Sequence, residues 1–103
     1  MNVKLADEIA GKLLPEVKLW LRRSGTRLES EVRQTVAACL LDLDRVGIVN
    51  IAADDPLIQQ AIKHYAKANF GYDDNAEKWG AAYAKLRDAL ALSGDYNGGK
   101  PDG

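Results

Sequence analysis

Apolar side chains recur every three or four positions along most of this chain, the spacing that places them on one face of an α-helix. Between Val3 and Leu21 the stripe runs through Leu5, Ile9, Leu13, Val17 and Trp20. Pro15 interrupts it, and proline suits the first turn of a helix better than its interior, because its nitrogen has no proton to donate and its ring crowds the preceding turn. The pattern therefore predicts a short N-terminal helix, a break, and a second helix starting at Pro15, with one continuous kinked helix as the alternative. Ser24, Gly25 and Thr26 read as a turn. From Leu28 to Val46 the periodicity is cleanest, with Leu28, Val32, Thr35, Val36, Cys39, Leu40, Leu43 and Val46 on one stripe. Gly47 followed by Ile48 predicts a left-handed C-terminal cap, in which the isoleucine folds back on the last turn.

Asp54 and Asp55 ahead of Pro56 predict an N-cap with proline in the first helical position. The helix that follows carries Ile58, Ala61, Ile62, Tyr65 and Ala68 and stops at Gly71. Asp73, Asp74 and Asn75 offer caps for a last helix with Trp79, Ala82, Tyr83, Leu86, Ala89 and Leu90 on its core face. The expected architecture is all-α: a small bundle of four major helices, with an extra N-terminal helix ahead of Pro15 and no strand pattern longer than Ile48 to Ala52. Residues 1–96 read as one helical domain and residues 97–103 as a flexible tail, with the free character expected from Gly94 onward because the segment is polar and glycine-rich.

Composition narrows the function classes. Apolar residues make up 47% of the chain but Phe, Trp and Tyr only 7%, so the core is expected from Leu, Ile, Val and Ala. The 14 Lys and Arg nearly balance the 15 Asp and Glu, and no predicted helix reads as a basic face, so autonomous DNA binding is not expected. Cys39 is the only cysteine, which excludes an intramolecular disulfide and a zinc site built on several thiolates. No apolar run approaches the ~20 residues of a membrane span, and acidic Asp7 and Glu8 are unlike a secretory leader. The expectation is a soluble protein made in a cytoplasm.

Few residues qualify as sites. His64 reads as a boundary residue beside its stripe and Cys39 as a small core hydrophobe. The pairs Asp54 with Asp55 and Asp73 with Asp74 read as helix caps in preference to a metal or paired-carboxylate site. Arg22, Arg23 and Arg27 read as a solvated helix end, and Asn69 as a helix-end donor to a loop. Ala37, Ala38 and Leu41 lie opposite the core stripe of their helix and are taken as a second contact surface, with Tyr96 as an aromatic anchor in the tail. No catalytic, cofactor-binding or metal-binding residue is nominated.

The segment Asp54 to Asp74, DDPLIQQAIKHYAKANFGYDD, resembles the central motif of the head-tail connector proteins of tailed bacteriophages, the adaptor or head-completion group also described as phage DNA-packaging proteins. Trp79, Tyr83, Leu86 and the sequence LSGDY from Leu92 to Tyr96 are similar to the family's last helix and its terminus. Val17 to Leu21, then Ser24, Gly25, Thr26 and the long helix, look like its opening, so the likeness spans roughly residues 15–96. Residues 1–14 are longer than the usual start, and the tail after Tyr96 has no counterpart. The resemblance implies an all-α subunit of a ring, typically dodecameric, beneath the portal protein at the virion head-tail junction. Such a ring extends the channel through which packaged DNA passes without sequence-specific binding, and it receives a downstream head-tail joining or tail protein. It implies no cofactor and no reaction. A small helical regulatory or nucleic-acid-binding protein is the competing reading, and the near-neutral charge weighs against it.

Overall fold

A computed structural model describes residues 1–21, 29–70 and 75–99. Asn2 opens the first helix by accepting the Leu5 N–H on its side-chain oxygen at 2.8 Å, and α1 then runs unbroken over Val3–Trp20. The break expected at Pro15 is absent. Pro15 is exposed while Leu13 and Val17 on either side of it are buried, so apolar burial holds one rod together and the missing hydrogen bond falls on the solvent side. The buried line also differs from the expected stripe. It follows Ala6, Ala10, Leu13 and Val17, while Leu5 is 44% exposed. Each alanine adds little apolar weight to the periodicity, yet its small size lets the helix axis come close to its neighbour.

The second helix, α2 over Glu29–Arg45, places Glu29 and Glu31 in its first turn, where carboxylates oppose the helix dipole. It buries Val32, Val36, Ala37, Cys39, Leu40 and Leu43. It closes as expected: Gly47 takes φ +97°, its N–H donates to the Asp44 carbonyl at 3.0 Å, and the Ile48 N–H donates to the Leu43 carbonyl at 3.1 Å. Ile48 is fully buried under that turn. A Cβ on Gly47 would meet nothing within 4 Å, so the penalty of Gly47→Ala is purely the left-handed backbone. That variant is expected to lose about 1–2 kcal/mol in a denaturant titration with the fold unchanged, and an unaltered midpoint would contradict the cap.

The third helix, α3 over Pro56–Phe70, starts with the expected cap, Asp55 Oδ1 accepting from the Leu57 and Ile58 N–H groups at 2.8 and 3.3 Å. It buries Ile58, Ala61, Ile62 and Ala66, and Tyr65 packs on the same core from the boundary. The fourth, α4 over Ala76–Ala91, buries Tyr83 and Leu90 and leans Leu86 on the core. The stop at Gly71 and the caps at Asp73 and Asp74 lie outside the described residues. Among the described residues the chain is thus all-helical, with four α-helices and no strand.

Two antiparallel hairpins build the bundle. Lys18 near the end of α1 pairs with Glu29 at the start of α2, while the Met1 ammonium pairs with Asp44 at the far end at 3.0 Å. Tyr65 meets Tyr83 edge-on across α3 and α4, at 4.9 Å between ring centroids. The hairpins join mainly through α2 and α3, around Leu40, Leu43, Ile48, Ile58 and Ile62. Among the described residues no helix is long and apolar enough to cross a membrane.

The segment from Gly94 to Gly99, expected to be free, is instead folded back onto the α2–α3 linker. The Val49 and Asn50 N–H groups both donate to the Tyr96 carbonyl at 2.8 and 3.1 Å, and the Asn50 side chain donates to the Asp95 carbonyl at 2.6 Å. Asn97 is 6% exposed and donates to the Ala91 carbonyl. Gly98 and Gly99 both take φ +78°. Glycine raises the entropy cost of ordering there, but it also opens the left-handed conformations that tighten this turn. Residues 100–103 lie outside the described part.

Candidate functional site

Of the residues nominated as a contact surface on α2, only Ala38 is exposed. Ala37 is 8% exposed and belongs to the core, and Leu41 is half-buried against it. The surface phase assigned to the three is therefore corrected: α2 is covered by α1 on one side and α3 on another, so its buried arc is wider than a single stripe. Tyr96 is half-buried, and its hydroxyl donates to the Asp55 carboxylate at 2.9 Å. Asp55 therefore caps α3 and anchors the C-terminal turn at once. An open groove of about 520 Å³ beside this contact is lined by Val49, Asn50, Ile51, Ala52, Asp55, Asp95 and Tyr96.

The Tyr96 contacts separate two effects that one substitution would mix. Tyr96→Phe removes the hydroxyl alone and is expected to cost about 1–2 kcal/mol, toward the low end for a bond to a charged acceptor because Tyr96 is only half-buried. Tyr96→Ala also removes the ring and is expected to cost more, with faster amide exchange at Val49 and Asn50. Equal stability of both variants and wild type would show that the turn is not fastened through Tyr96.

A second polar cluster joins the hairpins. Asp42 on α2 accepts from the Tyr83 hydroxyl at 2.7 Å and from Arg87 at 3.1 Å, both on α4, and from Arg45 at 2.7 Å on its own helix. Burial pushes the nearby Cys39 thiol up to about 12, a hydrogen bond with Tyr83 lowers it in part, and the Asp42 charge raises it again. That thiol stays protonated at neutral pH and behaves as the small core hydrophobe expected of it. Burial raises the Tyr83 phenol as well, helped by Cys39 and Asp42. These groups hold one another, and none of them lines the groove beside Tyr96.

His64 sits at the α3–α4 boundary, as expected. Its ring lies 5.3 Å from that of Trp79, its Nε2 meets the Gln60 amide nitrogen at 3.0 Å, and its buried Nδ1 has no hydrogen-bond partner. Burial, followed by the charges of Lys63 and Lys67, lowers its pKa. The Lys67 ammonium stands 4.6 Å from the centroid of the Trp79 ring. Asn69 donates to the Tyr65 carbonyl one turn back, and the adjoining loop, residues 71–74, lies outside the described residues.

Sequence reasoning missed two features. One is the Tyr96–Asp55 fastening. The other is the cationic character of α3: between Pro56 and Phe70 there are two lysines and no carboxylate, a run visible in the sequence but diluted in the whole-chain charge. Arg22, Arg23 and Arg27 lie outside the described residues. Among the described residues no three His, Cys, Asp or Glu side chains are grouped so as to hold a metal ion. No protein-family model, curated protein or solved structure matches this chain.

Proposed function

We propose that this chain is a structural subunit of a tailed-phage head-tail connector, made in the bacterial host and assembled into a ring beneath the portal. One observation carries the reading. The likeness to connector proteins rests on two stretches about forty residues apart, the Asp54-Asp55-Pro56 start of the central motif and the terminal LSGDY. In the folded chain they meet, Tyr96 of the second bonding to Asp55 of the first. The shared pattern thus corresponds to one packed unit at the end of the α3–α4 hairpin, in a chain that is all-helical among the described residues.

The mechanism is assembly. A flat subunit, 43 × 30 × 19 Å, with α1 and α4 on different flanks can present different surfaces to its two neighbours. Such heterologous contacts close only when their rotation divides the circle, so the portal supplies the template. The downstream head-tail joining or tail protein then docks on the exposed rim of the ring, and the DNA passes through its centre. Ala38 and the exposed edge of Leu41 contribute to the subunit contact, while Ala37 lies in the core.

Purified chain mixed with DNA-filled, tail-less heads carrying the cognate portal should sediment with them. Failure to sediment with those heads, together with tight sequence-selective duplex binding by the free chain, would favour the regulatory reading. Genes for portal, protease and capsid protein directly upstream would agree with the connector.

A further inference from the structure

The cations of the two hairpins are used differently. In the α1–α2 hairpin, Lys18, Arg33 and Arg45 each pair with a carboxylate while Lys4 and Lys12 do not among the described residues, and the five cations of these two helices face seven carboxylates. In the α3–α4 hairpin, Lys63, Lys67, Lys78 and Lys85 have no carboxylate within ion-pair distance among the described residues; only Arg87 is paired, with Asp42 and Asp88. Across α3 and α4 five cations face two carboxylates, in a chain whose formal net charge is −1. Lys63 and Lys67 are one turn apart on α3, and Lys78 and Lys85 two turns apart on α4, so each pair is aligned along its own helix. Lys78 and Lys85 are exposed, and Lys63 and Lys67 half-buried.

We propose that the lysine-bearing surface of the α3–α4 hairpin contacts the phosphates of double-stranded DNA. Cations left without carboxylate partners repel one another, and a polyanion relieves that repulsion while releasing its counterions. Trp79 decides the mode of contact. Its ring is already engaged by His64 and by the Lys67 ammonium, so it is not offered to an unstacked base as a single-strand platform would require. What remains are point charges on a helical scaffold, which read no sequence. The choice of DNA over an acidic protein segment rests on the connector reading, in which DNA runs past every subunit. One subunit binds weakly, and a ring multiplies the contact.

The test is fluorescence anisotropy of the full chain with a labelled short duplex, at low and at physiological salt. Binding should be measurable at low salt and fall to about 10⁻⁴ M or weaker at physiological salt, with a slope of log K against log salt of roughly −2 to −4. The variant K63Q/K67Q, checked for unchanged helical content, should bind at least about tenfold more weakly at low salt and lower the slope by about two. K78Q/K85Q provides an independent pair with the same expectation. A single strand of equal length should bind no better than the duplex. Absence of duplex binding at low salt, unaltered binding by both variants, or a preference for polyglutamate over duplex would each overturn the proposal. The two readings fail separately: normal attachment of K63Q/K67Q to portal-bearing heads with lost duplex affinity leaves both standing. Lysine-dependent duplex binding without any attachment of the wild-type chain removes the connector and keeps the surface.

Discussion

Leu40→Asp should leave a chain with no cooperative thermal transition. Leu40 is fully buried near the centre of α2. Removing its side chain forfeits about 2–5 kcal/mol of packing and transfer energy. Placing a carboxyl group there adds several kcal/mol more, whether it stays charged without a partner or takes up a proton to avoid the charge. A domain of this size has about 5–15 kcal/mol in total and belongs near the lower end of that range, so the change exceeds what the fold can absorb. Ala38→Asp is the control on the same helix, because Ala38 is exposed and surface changes usually stay within about 0.5 kcal/mol. Circular dichroism melts of the pair check the phase of α2 directly. A wild-type-like melt for Leu40→Asp, or collapse of Ala38→Asp, would place α2 in the wrong rotation.

Asp42→Ala should be the next most damaging change. It leaves the Tyr83 hydroxyl, on a side chain only 6% exposed, without its acceptor, and it strips Arg87 of one of its two carboxylates. Hydrogen bonds to a charged group are worth about 1.5–3 kcal/mol each when partly buried, so a loss of about 2–4 kcal/mol is expected. The Arg45 pair adds little, because that side chain is 69% exposed. Acid exposes the same contacts in the wild type. Burial works to raise the Asp42 carboxyl, but donors from Tyr83, Arg45 and Arg87 outweigh it and hold the group below its ordinary 3.8. A carboxyl depressed by folding contributes stability that is complete above the unfolded value and lost as pH falls through the folded one. Denaturant titrations should therefore show the wild type losing its advantage over Asp42→Ala below about pH 4. A constant difference down to pH 2 would mean that Asp42 is not held by those donors.

The fold was largely legible because its signals are local. Gly47 with Ile48 and Asp55 with Pro56 mark helix ends through backbone rules that need no tertiary knowledge, and both ends lie where those rules put them. Pro15 misled because its effect depends on which side of the helix faces water, a tertiary fact. Ala6 and Ala10 were passed over because periodicity weighs size, whereas close helix packing favours small side chains. Ala37 lies off the single stripe that periodicity marks on α2, but that helix is covered by two neighbours and its buried arc is wider. The contacts of Tyr96 with Val49, Asn50 and Asp55 join positions more than forty residues apart, and nothing in glycine content announces them. The lysines of α3 and α4 are legible one by one, but the cationic excess of that hairpin shows only against α1 and α2, where carboxylates outnumber cations.

The most direct measurement is electron microscopy of DNA-filled heads carrying the portal, with and without the purified chain. An added ring of helical density is expected in register with the portal, widest where four-helix subunits abut, continuing the channel outward around the DNA. Heads whose portal vertex is unchanged at saturating concentrations of a correctly folded chain would contradict it.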